Sequence, residues 1–289
     1  MQYRTIWISD IHLGSRHAQS GRLLSFLRDA ECEHLYLVGD IIDGWELRRR
    51  WLWDQEANTV VQKILRKNRK DTKVTYVYGN HDEFVEHFAG LNLGGVRFVE
   101  RAVHTTADRQ RYLVIHGHQL DGLVHFNRLL ERVGSRLYDW ILLFNLYFNR
   151  VRRRLGFGYW SVSSWLKFKA KSAVRYVTQF EDGMAQIAAK SRVDGVICGH
   201  IHRAENRQIN GVHYLNCGDW VESCTALVEH FDGSFEILNL SDISADGRER
   251  DPADQEQVAQ RPATVTAVRP AGRRRPRGGE SEPELAGLF

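Results

Sequence analysis

Proline is missing from this 289-residue chain until Pro252. All five prolines (Pro252, Pro262, Pro270, Pro276 and Pro283) lie beyond that point. The composition shift places a boundary near Ser241: residues 1–241 read as the folded domain, and 242–289 as an Arg-, Gly-, Ala- and Glu-rich tail expected to be disordered. Arg273-Arg274-Arg275-Pro276-Arg277 has the charge to meet RNA or anionic lipid, though such runs ordinarily stay solvated. Cysteine is scarce too. Cys32, Cys198, Cys217 and Cys224 make no CxxC pair, which excludes a zinc ribbon, and Cys198 and Cys217 close apolar runs as buried reduced thiols do. No apolar run approaches the roughly 18 residues of a membrane span. The chain enters its first strand straight from Met1-Gln2-Tyr3-Arg4, so no leader is expected and a cytoplasmic protein is.

What remains is ordinary globular material, 43% hydrophobic and 26% charged. Thr5–Ile8, Leu35–Val38 and Lys73–Tyr78 are apolar or alternating and read as strands. Gly21–Ala30 and Asn58–Lys70 have helical spacing, the second strongly basic. Val96–Val99, Arg111–Ile115 and Asp194–Cys198 are further strands. His213–Asn216, Ala226–Val228 and Phe235–Leu238 look like a closing antiparallel set. Strand and helix alternate early and strands dominate late, which predicts an α/β sandwich with polar residues gathered at one end of its sheets.

Five of those strands end in clusters of one kind: Asp10-x-His12, Gly39-Asp40-x-x-Asp43, Gly79-Asn80-His81-Asp82, His116-Gly-His118 and Gly199-His200-x-His202. A single polar turn after a strand is unremarkable. Five in succession, each directly after an apolar run, are not. Carboxylate, amide oxygen and imidazole together suit Mn²⁺, Fe²⁺ or Zn²⁺ and not a thiolate site. In an extended segment, alternate residues such as Asp10 and His12 would share a face and reach one ion. About seven ligands suffice for two ions. A pair roughly 3.5–4 Å apart can hold a hydroxide between them and clamp phosphoryl oxygens.

In order and spacing, these motifs resemble the calcineurin-like metallophosphoesterase superfamily, from residue 3 to about 240. The resemblance implies a four-layer αββα sandwich and a hydrolase with two divalent ions, Mn²⁺ first among them, with Fe²⁺ or Zn²⁺ as alternatives. It implies that Asp10, His12 and His202 hold one metal, and that Asn80, His116 and His200 hold the other. Asp40 would bridge them, His81 would serve as the catalytic histidine, and Asp43 would orient it. It assigns His118 no ligand role.

The segment at about 122–190 reads as a helical cap insertion. Leu137, Trp140, Ile141, Phe144, Tyr147, Phe148 and Val151 follow helical spacing, with Leu142, Leu143 and Leu146 off the stripe. From Arg128 to Arg175 eleven basic residues face only Glu131 and Asp139, a net +9 where the whole chain carries +4. Aromatics interleave with these charges. Such a surface suits acyl chains with phosphates, or stacked bases on a phosphate backbone, and amphipathic stretches also simply pack. The insertion, Asp43-Gly44-Trp45 and Gly218-Asp219-Trp220 resemble the UDP-2,3-diacylglucosamine pyrophosphatase branch, which cleaves a lipid-linked diphosphate in lipid A synthesis. That resemblance implies substrate contacts from Arg128, Trp140, Phe144, Arg152, Trp160 and Lys167. The basic, aromatic cap itself motivates an expectation of peripheral contact with an anionic inner membrane. The best-known members of the branch carry arginine where this chain has His81, and Asp where it has His118. A nuclease or nucleotide phosphodiesterase is the rival enzyme, and a metal-assisted scaffold binding a protein or membrane through the cap is the rival of another class.

Overall fold

The computed structural model describes residues 1–122 and 162–241, without the side chains of 122–173. Two sheets carry the architecture. The first has seven strands in the order β12-β11-β1-β2-β3-β5-β4: β1 (Gln2–Ile8), β2 (Glu31–Val38), β3 (Lys73–Val77), β4 (Asn92–Leu93), β5 (Val96–Val99), β11 (Thr225–Glu229) and β12 (Phe235–Asn239). The second has five in the order β6-β7-β8-β10-β9: β6 (Arg101–Thr105), β7 (Arg111–Ile115), β8 (Gly195–Cys198), β9 (Glu205–Ile209) and β10 (Val212–Asn216).

Alternation along the strands divides the core. Ile6 and Ile8 of β1, with Leu35 and Leu37 of β2, point outward. There they pack on Leu23, Phe26 and Leu27 of α1 (Ser20–Asp29) and on Val60 and Ile64 of α3 (Gln55–Asn68). Trp7, Tyr36 and Val77 point inward and meet Tyr112, Val114, Ile197 and Leu215 of the second sheet. The far face of that sheet, with Leu113, Ile115 and Val196, is covered by Phe180, Met184 and Ala188 of α4 (Val162–Lys190). The order of layers is therefore helix, sheet, sheet, helix, as expected. Opening its middle would be costly, since a truncation such as Trp7→Ala removes about 3–5 kcal/mol.

The parallel pairs β1–β2–β3 and β7–β8–β10 run in near-common register, Ile8 opposite Leu37 and Leu37 opposite Tyr76. Their carboxyl ends are thus brought to one rim of each sheet. All five motifs begin there.

Three local expectations are corrected. β10 does not join β11 and β12. It pairs parallel to β8 and antiparallel to β9 in the second sheet, because the Gly218–Cys224 loop carries the chain across to the first. β6 and β9 were not expected. Both are edge strands, and β9, Glu-Asn-Arg-Gln-Ile, is too polar to show an apolar period. The strand ahead of Gly79 stops at Val77, although the Tyr78 amide still donates to Val99. No described helix is long and apolar enough to cross a membrane. Residues 123–161 and 242–289 lie outside the described residues. They include most of the expected cap and all of the expected tail.

Candidate metal centre

The loops leaving β1, β2 and β8 do not stay extended. Asp10, His12, Asp40, His200 and His202 all take positive φ, between 50° and 73°. They are half of the ten non-glycine residues that do so in the described chain, in a region that costs such residues on the order of 1–3 kcal/mol each. The extended geometry expected for Asp10-x-His12 is therefore wrong, and left-handed turns bring the two side chains together instead. Backbone bonds hold those turns: Asp10 N–H donates to the Gly39 carbonyl (3.1 Å), His12 N–H to Asp40 (2.9 Å), and Trp220 N–H to Asp10 (3.0 Å).

Two glycines are required by close approach. A Cβ on Gly79 would lie 2.3 Å from Asp40 Oδ1, and one on Gly199 would lie 2.4 Å from Asp10 Oδ2. Those carboxylate oxygens instead accept N–H bonds, Asp40 Oδ1 from His81 (2.8 Å) and Asp10 Oδ2 from His200 (2.9 Å). The Gly-Asn and Gly-His pairs follow from this crowding.

Ligand-type atoms gather in three groups, each within 4.8 Å: Asp10, His12 and His202; Asp40, His116 and His200; and His12, Asp43 and His81. Asp40 Oδ2 stands between the first two, 3.9 Å from His12 Nε2 and 3.3 Å from His116 Nε2. Because a carboxylate or carbonyl only accepts, the tautomers can be assigned. His116 Nδ1–H donates to the Val38 carbonyl (2.9 Å), and His12 Nδ1–H donates to Asp43 Oδ2 (3.3 Å). Each imidazole thereby presents Nε2 to the cluster.

A cation fits these groups. Asp10 Oδ1, His12 Nε2, Asn80 Oδ1 and His116 Nε2 are buried and make no hydrogen bond, a state that costs on the order of 1–3 kcal/mol per atom unless something accepts their lone pairs. Electrostatics agree. Burial raises the Asp40 carboxyl, but the charge of His116, 3.3 Å away, outweighs it, and Asp40 is left far below the usual carboxylate range. Burial lowers His116, yet Asp40 and Asp10 lift it to about 10, so these carboxylates hold positive charge in their midst. Divalent metal binding is what such donor sets support.

His81 sits at the edge of the cluster. Its Nδ1 lies 3.1 Å from Asp43 Oδ1, and its ring lies 4.1 Å from that of Trp45 and 4.6 Å from that of His12. Burial lowers its pKa, but the Asp43 bond and the charges of Asp40 and Asp43 raise it more. Asp43 also caps α2 (Gly44–Arg49) by accepting from the Glu46 amide, so one carboxylate fixes His12, His81 and the helix that carries Trp45. His118 lies outside all three groups, its ring 5.6 Å from that of His116.

Sequence reasoning passed over three supporting residues. Asp121 accepts from His200 Nε2 (2.8 Å). Asp82 accepts from Tyr76 Oη (2.6 Å) and from the amides of Gly79 and Ile41, tying the β3 loop to the β2 loop. Trp45 covers His81. Asp82 and Trp45 stood inside quoted motifs, but nothing in their spacing gives a direction of bonding. Of the residues expected to touch substrate, Arg128, Trp140, Phe144, Arg152 and Trp160 lie outside the described residues. Lys167 lies on α4, its side chain not described.

A sandwich with this rim defines the class, and the calcineurin-like phosphoesterase family model matches residues 3–204. The chain belongs to that family, whose members are metal-dependent hydrolases. It is similar to a UDP-2,3-diacylglucosamine hydrolase from Psychromonas ingrahamii, 24% identical over 75% of this chain and 89% of that protein. Among solved structures it is similar to Yfce, a phosphoesterase from E. coli, with 15% identity, 83% of this chain and 94% of that one covered, and a TM-score of 0.44. It is also similar to a Vps29 mutant from Entamoeba histolytica, with 16% identity, 81% and 89% covered, and a TM-score of 0.40.

Proposed function

We propose that the chain hydrolyses a lipid- or nucleotide-linked diphosphate, with UDP-2,3-diacylglucosamine the leading substrate. Two divalent ions, Mn²⁺ first, would be held by Asp10, His12 and His202 and by Asn80, His116 and His200, with Asp40 shared. The observation that carries this reading is Asp40 standing between two donor groups in which Asp10 Oδ1, His12 Nε2 and His116 Nε2 are buried without a hydrogen bond. When bound, such ions activate water and neutralise phosphoryl oxygens. His81 is the proton donor to the leaving oxygen. Asp43 keeps its Nδ1 protonated and its Nε2 outward, and Trp45 restricts its ring. The lipid substrate is supported by the Psychromonas ingrahamii relative and by the basic, aromatic composition of the cap. On this reading, acyl chains and an anionic bilayer surface would both meet the cap.

Product analysis tests it. The protein is incubated with UDP-2,3-diacylglucosamine, with Mn²⁺ or with chelator, and UMP is measured. Metal-dependent UMP release supports the reading. Cleavage of bis-p-nitrophenyl phosphate without UMP release would keep the metal site and discard the lipid substrate. Turnover of neither would overturn both.

A further inference from the structure

At the other end of the same sandwich, a cavity of about 240 Å³ opens between the last turns of α1 and α3 and the first residues of β2. Four of its cations come from α3 and its end: Lys63, Arg66, Lys67 and Lys70. Lys63, Arg66 and Lys67, at i, i+3 and i+4, share one face of α3, and Lys70 lies just past its C-cap. Arg28 of α1 joins them from across the cavity, and Glu31 is the one acid in the lining. Cys32 lines the cavity and Val38 ends the same strand, so the cavity lies roughly 20 Å or more from the Asp40 loop.

Cations near a helix C-terminus often serve the helix itself, by complementing its partial negative charge. Lys67 does so. It is buried, and its Nζ donates to the carbonyl of Ala30. The other four are different. Among the described residues, Arg28, Lys63, Arg66 and Lys70 make no side-chain hydrogen bond or ion pair. Like charges at these spacings destabilise a helix when nothing lies opposite. The crowding is felt: burial lowers the pKa of Lys63, and Arg66, Lys70 and Arg28 lower it further, with only Asp29 of α1 opposing them.

We propose that this cavity is a second anion site, built for a compact phosphate-bearing ligand and separate from the metal centre. Its volume is below the roughly 300–1,000 Å³ of pockets that enclose drug-sized molecules, so it suits a phosphate or diphosphate group and not a whole nucleotide. Ammonium and guanidinium groups lining one cavity are a usual means of holding such a group. The ligand is either a free anion or the headgroup of a phosphate lipid. The site does not depend on the proposed substrate.

The test uses the Mn²⁺-loaded full chain and the triple variant Lys63→Gln/Arg66→Gln/Lys70→Gln, which leaves the structural Lys67 in place. Each is titrated calorimetrically with inorganic phosphate. Each is also sedimented with phosphatidylcholine vesicles with or without phosphatidic acid. The expected result is a phosphate-binding event in the wild type that weakens at least tenfold in the variant, about 1.4 kcal/mol. Phosphatidic acid-dependent sedimentation that the variant loses, without such an event, assigns the headgroup instead. Arg66→Gln alone, at an exposed position, moves either readout in the same direction by less. Identical isotherms and identical sedimentation for wild type and variants overturn the proposal.

Discussion

The two rims of this sandwich are built from the same strands and treat buried polar groups in opposite ways. At the amino rim of β1, the Glu229 carboxylate is fully buried. It accepts from Arg4 (2.7 Å), Thr5 Oγ1 (2.9 Å), His104 Nε2 (2.8 Å) and the Ala107 amide (2.8 Å). Nearby in the second sheet, buried His213 is bonded to Tyr112 Oη (2.7 Å) and to Asn206 Oδ1 (2.8 Å). Nothing in either network is left over. At the carboxyl rim, Asp10, His12, Asn80 and His116 are just as buried, yet each keeps an atom without a hydrogen bond, and the backbone there is left-handed at five residues. A saturated network holds sheets together. An unsaturated one, kept in place by strain and crowding, is where a chain can do chemistry.

This contrast can be broken from either side. The largest effect is expected from Asp40→Ala, which removes the group shared by both donor clusters. Steady-state assays should show phosphoesterase turnover falling by on the order of 10⁴-fold, about 5 kcal/mol, while circular dichroism still reports a folded protein. Glu229→Ala should do the reverse. It strands Arg4 and His104, so denaturant unfolding should show a loss of about 3–5 kcal/mol, with turnover of the folded fraction unchanged within about twofold. If Glu229→Ala instead silenced the enzyme at full stability, the division between rims would be wrong.

His81→Ala is expected to lower kcat by roughly 10²–10³-fold with little change in KM, as for loss of a general acid. A few-fold change would remove His81 from the proton transfer. His213 offers a pH test at the amino rim. Burial pushes its folded pKa down to about 4 from 6.5. The unfolded chain therefore binds the extra proton first. Stability is fullest above the unfolded value and falls as pH drops from about 6.5 to 4, by about 3 kcal/mol in all. His213→Gln should flatten that slope by up to one proton, and an unchanged slope would contradict the assignment. Smallest is Asp121→Ala, which frees His200 to turn: Mn²⁺ affinity measured by competition with a chelator should weaken about 10–100-fold. Unaltered affinity would leave Asp121 a loop residue only.

Much of this was legible in the sequence, for identifiable reasons. The strands bearing the motifs are short and apolar, three of them running into Gly-Asp, Gly-Asn or Gly-His and the others into Ser9-Asp10 and His116-Gly117, so both the layers and the cluster of strand ends could be anticipated. The glycines mark where a carboxylate lies against the backbone, as Gly79 does for Asp40. What escaped was whatever depends on direction or on an edge. β9 is polar because one side faces solvent. The crossing from β10 to β11 leaves no mark on hydrophobic periodicity. The Asp10-x-His12 spacing reads as an extended pair, yet positive φ at both residues makes it a turn. Asp121 looked like any loop acid, because its importance lies in one bond to a histidine 79 positions away.

In the proposed function, Asp40 joins two donor clusters into one dinuclear site. That role is tested most directly by electron paramagnetic resonance of the protein titrated with Mn²⁺. Two Mn²⁺ per chain with a spin-coupled signal are expected, replaced in Asp40→Ala by uncoupled or weakly bound ions. A single uncoupled ion at saturation in the wild type, or a coupled pair that survives Asp40→Ala, would contradict it.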